Sequence, residues 1–302
     1  MDISLGDITL HVRDTGSGTP VVLLHGWPDT GDLWRHQVPA LTASGYRVVA
    51  PDLRGFGRSS KPTDLAAYAP PVLVGDLLGV LDTLEIDRAH LVGHDWGAAI
   101  AWMAAALAPG RVASITALSV GHPEALRSAG LRQREKSWYM LLFQFAGIAE
   151  RWLSDDGFRN LRQWSAHPGI ESVVERFTDP AALTASLALY RAILPPESLV
   201  EAPAPMPPVT VPAMGVWSSG DLALIEEGMT GSAAYVSGPW RYERIEDAGH
   251  WLQLDAPDKV NALLLDFLGG QVATAAGGEG SALVRAGRSN PPCDQNGCDQ
   301  GG

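Results

Sequence analysis

The sequence predicts an α/β fold: a mostly parallel sheet with an inserted helical cap, or lid. Three observations lead there. Short continuous apolar runs suit strands buried on both faces, helical patterns lie between them, and the alternation stops from about His122 to Pro208, where the chain turns helical.

Ile3, Leu5, Ile8, Leu10 and Val12 alternate with other residues around Gly6-Asp7, which predicts a hairpin of two half-buried strands. Apolar runs follow at Val21 to Leu24, Val48 to Ala50, His90 to Val92, Ile115 to Val120 and Ala213 to Trp217. Between them, Leu33 to Ala43, the spaced Leu73, Leu77, Leu81 and Leu84, and Ala98 to Leu107 read as helices. Within the insertion the helical segments are Trp138 to Ala149, Phe158 to Gln163 and Ala181 to Leu194. Placed between two strands of one sheet, they are most simply a lid over the strand ends, closed by the Pro-rich hinge Pro203 to Pro212. The expected organisation is a core of residues 1–121 and 209–268, a cap of residues 122–208, and a tail. From Gly269 to Gly302 the chain lacks periodicity and is rich in Gly, Ala and Ser, so it is expected to be disordered.

With 302 residues, 46% hydrophobic and 19% charged, the chain fits one large domain or a domain with a lid, and excludes collagen-like or low-complexity sequence. The net charge of −12 leaves no field to gather phosphates, so neither nucleic acid nor an anionic membrane surface is an expected partner. Met1 to Asp14 lacks the basic region and apolar run of a secretory signal. The longest apolar run, Gly97 to Pro109, falls short of the roughly 20 residues that span a bilayer. A cytoplasmic protein is expected. Cys293 and Cys298 are the only cysteines, so no disulfide framework or thiolate metal site holds the body together. Two thiolates with no nearby His leave a zinc site half built, and no metal is expected.

The sharpest motif is Gly93-His94-Asp95-Trp96-Gly97, set between a strand and a helix. Its small residues permit a strained turn that lifts the Asp95 side chain into a pocket. Taken alone, Asp95 would read as a cap of the following helix. Its context points elsewhere. Asp221 follows the strand Ala213 to Trp217, and His250 follows the strand Tyr242 to Ile245, each at a carboxyl end, where open α/β sheets place their sites. Asp95, Asp221 and His250 therefore make a nucleophile, an orienting acid and a base. His25 and His94 flank tight turns and are expected to be structural; His11, His36, His90, His122 and His167 have no partner readable from sequence. Upstream, the strand Val21 to Leu24 runs into His25-Gly26-Trp27-Pro28. There the backbone N–H of Trp27, with that of Trp96, would supply the two donors of an oxyanion hole.

Through these two motifs and Asp52-Leu53-Arg54-Gly55-Phe56-Gly57-Arg58-Ser59-Ser60-Lys61-Pro62, residues 1 to about 268 resemble the α/β-hydrolase fold, and within it the epoxide hydrolase family. The His25 and Asp95 motifs are shared with haloalkane and haloacetate dehalogenases. The lid favours epoxides, because its only tyrosines, Tyr139 and Tyr190, resemble the paired tyrosines that hold the epoxide oxygen in that family. The resemblance implies opening of an epoxide to a vicinal diol through a covalent Asp95 ester, which water activated by His250 hydrolyses. An aspartate side chain is ordinarily ionised at neutral pH and attacks carbon without the help of a base.

No cofactor is implied. Trp138, Trp152, Trp164, Phe143 and Phe145 suggest a pocket for a small, mainly apolar epoxide. The alternative is a haloalkane dehalogenase, with the Trp96 indole and a second donor, Trp27 or a lid Trp, on the halide. Haloacetate is disfavoured because the helix from Gly97 to Leu107 has no Arg for a carboxylate. A catalytically silent receptor on the same scaffold is the third reading.

Overall fold

The computed structural model describes residues 1–201 and 204–282, with side chains described through residue 271. Eight strands form the sheet: β1 (Asp2–Leu5), β2 (Ile8–Thr15), β3 (Thr19–Leu24), β4 (Tyr46–Pro51), β5 (Ala89–His94), β6 (Val112–Leu118), β7 (Ala213–Ser218) and β8 (Trp240–Ile245). Their spatial order is β1-β2-β4-β3-β5-β6-β7-β8. β2 pairs antiparallel with β1 and β4, and every other pairing is parallel, with Leu24 opposite Gly93 and His94 opposite Leu118.

Successive strand side chains point to opposite faces, which explains the unbroken apolar runs. Val22 and Leu24 pack with Leu91, Ile100 and Trp102 on one side of the sheet. Val21 and Leu23 pack with Trp34, Leu41 and Leu264 on the other. Burying one such aliphatic side chain is worth about 1.5–3 kcal/mol relative to leaving it in water.

The helices are α1 (Gln37–Ala43), α2 (Pro70–Thr83), α3 (Trp96–Leu107), α4 (Pro123–Ser128), α5 (Leu131–Lys136), α6 (Trp138–Phe143), α7 (Ile148–Ser165), α8 (Ile170–Phe177), α9 (Pro180–Ile193), α10 (Glu226–Thr230), α11 (Leu252–Asp255) and α12 (Pro257–Ala282). Six of them, α4 to α9, lie between β6 and β7. Among the described residues no helix is long and apolar enough to cross a membrane.

Several boundaries depart from the sequence reading. Leu33 to Ala43 is a 3-10 turn, Gly31–Trp34, followed by α1; the Thr30 hydroxyl accepts the Asp32 N–H and starts that turn. Trp138 to Ala149 is broken at Gly147, whose φ of +79° is left-handed and favours glycine. α7 kinks from Asp155 to Phe158. α8 buries Val173 and Phe177, spaced four apart on one face, and was not assigned from sequence. The expected disorder from Gly269 is corrected in part, because α12 continues to Ala282. The good helix formers in Gln271 to Ala276 support that continuation. The remainder of the expected tail, 283–302, with Cys293 and Cys298, lies outside the described residues, as does Pro203 of the expected hinge.

The inserted helices reach over the loops at the carboxyl ends of the parallel strands. Ser186 of α9 accepts the Trp27 indole N–H after β3, and the Arg176 guanidinium of α8 donates to the Pro28 carbonyl. On α5, Gln133 donates to the Ala223 carbonyl after β7.

Candidate active site

Asp95 joins β5 to α3 with φ 52° and ψ −120°, an unfavourable conformation for a residue with a side chain. The flanking glycines are packing requirements. A Cβ on Gly93 would lie 2.3 Å from the Gly97 carbonyl oxygen, and one on Gly97 would lie 2.0 Å from that of Leu24. The Asp95 carbonyl accepts the N–H groups of Ala98 and Ala99, but its side chain makes no cap bond to α3. The helix-cap alternative is thus not realised.

The Asp95 carboxylate turns instead toward the loop after β3, where the Trp27 backbone N–H donates to Oδ1 at 2.8 Å. Gly26 permits that approach, since a Cβ there would stand 2.3 Å from Oδ1. The Trp96 N–H heads α3, and first-turn N–H groups have no acceptor within their helix.

From the loop after β8, His250 Nε2 lies 3.8 Å from Asp95 Oδ2, while its Nδ1 bonds Asp221 Oδ2 at 2.9 Å. The other Asp221 oxygen accepts the N–H groups of Ala223 and Leu224 at 2.8 and 2.9 Å. Burial would raise the Asp221 pKa, but His250 and these two donors outweigh it and hold the carboxyl below its ordinary value. With Asp221 ionised, Nδ1 carries a proton and Nε2 faces Asp95. Burial alone would lower the His250 pKa; the Asp221 and Asp95 carboxylates overcome it and push the pKa up to about 10. The His250 carbonyl accepts from the Ser119 hydroxyl at 2.8 Å and bonds His94 Nε2 at 3.0 Å. Burial, then repulsion from His250, drop the His94 pKa to about 4, which keeps that ring neutral.

Tyr139 of α6 and Tyr190 of α9 are both buried, with ring centroids 6.1 Å apart. Their side chains interact with one another, and Tyr190 also interacts with the Trp96 indole. Burial and the nearby Asp95 carboxylate hold both phenols well above the ordinary tyrosine range, so both remain protonated. Aromatic residues wall the same space: Trp27 packs on Phe143 at 5.4 Å, Trp164 at 5.8 Å and Tyr190 at 6.2 Å between ring centroids. Trp152 is half-buried against Trp164, whereas Phe145, also expected to contribute, is 61% exposed and Trp138 44% exposed.

Sequence reasoning missed Asp29, buried beside this site and bonded to His167 and Trp251. Its signal was faint: a carboxylate directly after the Trp27-Pro28 pair, in a segment that must be buried if Trp27 is.

The sheet, its strained strand-to-helix turn at Asp95 and the three side chains gathered at the strand ends define an α/β hydrolase, and a family model described as alpha/beta hydrolase fold matches residues 19–168. The chain is 34% identical to epoxide hydrolase A of Mycobacterium tuberculosis, over 89% of this chain and 96% of that protein. It is 32% identical to an epoxide hydrolase of Caballeronia sordidicola, over 88% and 92% of the two. A solved epoxide hydrolase of Bacillus megaterium, in complex with an inhibitor, superposes with a TM-score of 0.80 at 28% identity, covering 89% of this chain and 100% of that one. The chain belongs to the epoxide hydrolase family of α/β hydrolases.

Proposed function

We propose that this protein hydrolyses a small, mainly apolar epoxide to a vicinal diol, with residues 122–208 acting as a cap over the core. The observation that carries the reading is the pair of protonated tyrosines, Tyr139 and Tyr190, beside a carboxylate that is seated on the Trp27 N–H and faced by His250.

Asp95 Oδ2 attacks an epoxide carbon, and the C–O bond breaks. The leaving oxygen is a strongly basic alkoxide and takes a proton from a tyrosine, leaving a tyrosinate and an alkyl ester of Asp95. A positioned acid of this kind is worth roughly 10²–10⁴ in rate. Ester formation removes the Asp95 charge that helps to hold the proton on His250, which favours the neutral base. His250 Nε2 then takes a proton from water as its oxygen attacks Asp95 Cγ, and the oxyanion meets the N–H groups of Trp27 and Trp96. Collapse passes the remaining carboxyl proton to the departing alcohol oxygen. The proton that His250 gives up on becoming the base returns through solvent to the tyrosinate, and the one taken from water restores the charged ring, so the sum is epoxide plus water giving diol.

The dehalogenase alternative needs indole N–H groups for a halide. Here the Trp27 indole donates to Ser186 at 3.2 Å, which speaks against Trp27 as the second halide donor. The test is a panel of terminal and aryl epoxides beside matched haloalkanes: diol without halide release is expected. Halide release without diol would overturn the reading.

A further inference from the structure

Asp29 is a junction of three chain segments. It sits in the loop after β3, and its side chain is 7% exposed. From the insertion, His167 Nε2 approaches its two oxygens at 3.1 and 3.2 Å. From the loop after β8, the Trp251 indole N–H donates to Oδ2 at 2.9 Å. The Gly169 N–H donates to His167 Nδ1 at 2.8 Å, which leaves the Nε2–H to donate to Asp29. Burial would raise the Asp29 pKa, but His167 and then Arg176 outweigh it and keep the carboxylate ionised.

The Trp251 ring packs on two histidines. Its centroid is 4.4 Å from His167 at 65° and 4.9 Å from the adjoining His250 at 89°. An aromatic ring packed on the base is thus fixed by one hydrogen bond to a carboxylate that the insertion also grips.

We propose that the His167–Asp29–Trp251 chain makes His167 and Trp251 positioning residues for His250, so that docking of the inserted helices on the core sets the aim of the base. This rests on the epoxide reading, in which His250 acts as base only when the ester is hydrolysed. Loss of the chain should therefore slow ester hydrolysis and spare ester formation. Simple loosening of the fold would slow both.

The experiment is single-turnover kinetics on the full chain with styrene oxide, following ester formation and decay by quenched intact-mass spectrometry. Trp251→Phe keeps the ring and removes the N–H, and His167→Ala removes the contact from the insertion. Each should slow ester decay about tenfold, the scale of one hydrogen bond to a charged group, with ester formation changed less than about twofold. His167→Gln, whose amide N–H takes the place of Nε2–H, should restore decay. Unchanged decay in both variants, equal slowing of the two steps, or no rescue by His167→Gln would overturn the proposal. If wild type yields no diol, the epoxide reading falls and this inference with it; normal wild-type turnover with unaffected variants removes this inference alone.

Discussion

The backbone N–H of Trp27 donates a 2.8 Å hydrogen bond to Oδ1 of Asp95. One carboxylate oxygen is thereby held by the backbone, while Oδ2, 3.8 Å from His250 Nε2, is the oxygen that attacks in the proposed mechanism.

Gly26 guards that bond, since a Cβ there would meet Oδ1 at 2.3 Å. Gly26→Ala is expected to slow ester formation about 100-fold or more, because small misplacements of a reacting group have effects of that order. Adduct formation at the parental rate, in a variant with unchanged circular dichroism, would remove Gly26 from this role.

His250→Gln should still form the ester but fail to hydrolyse it, because the base is required only in the second step. Intact-mass spectrometry after epoxide addition is expected to show a substrate-sized adduct that Asp95→Ala lacks. An adduct on the double variant would sink the covalent mechanism.

The His250 pKa of about 10 depends in part on Asp95. Removing a neighbouring negative charge disfavours the imidazolium, so Asp95→Asn should lower that pKa. Below the pKa the ring is charged and above it neutral; the variant should thus lose its ring proton at a lower pH than wild type. NMR titration of the His250 ring carbon proton checks this, and an unchanged or higher midpoint would contradict the coupling.

Tyr139 and Tyr190 are expected to cover for one another. Either Phe substitution should retain some diol formation, and the double substitution should nearly abolish it through slower ester formation. Full activity in the double variant would exclude the tyrosines as proton donors.

The two tyrosine helices are tied by Arg191 of α9, which Glu150 of α7 holds. Glu150 accepts two hydrogen bonds from Arg191 at 2.8 and 3.0 Å, and Arg191 also donates to the Phe143 carbonyl. Burial opposes ionisation of Glu150, but the Arg191 guanidinium outweighs it and holds the carboxyl below its ordinary value. A depressed carboxyl stabilises the fold above its unfolded pKa of about 4.3, and that contribution fades as pH falls through the lower folded value. Glu150→Ala leaves a largely buried guanidinium unpaired and should destabilise by about 3 kcal/mol at neutral pH. The difference in denaturant midpoint from wild type should shrink on acidification; a difference independent of pH would show that the ion pair contributes little.

The sheet was legible because its inner parallel strands, β3 to β7, are buried on both faces and so announce themselves as β-branched or aliphatic runs, whereas the edge strand β8 is half exposed. Asp95 and Asp221 stood out because each follows such a run, and His250 because it follows the last strand; the structure brings their side chains into one chain of contacts. His167 was opaque for a physical reason: its partner Asp29 lies 138 residues away, and local sequence carries no trace of a contact made by folding the insertion back on the core. The break at Gly147 was hidden by apolar residues on both sides that continue a helical spacing. α8 escaped because Val173 and Phe177 alone mark its buried face.

The loop that carries Asp221 is matched to one particular helix. The Lys136 ammonium of α5 donates to the carbonyls of Asp221 and Leu224, and Gln133 takes the Ile225 N–H while donating to Ala223. Transplanting only residues 122–208 from a relative would hand this loop to a foreign helix and strand its carbonyls. Recombination that preserves activity must therefore move residues 221–225 together with α5. Diversification of substrate range by swapping the insertion is for that reason constrained to travel with the carboxylate bonded to His250 Nδ1.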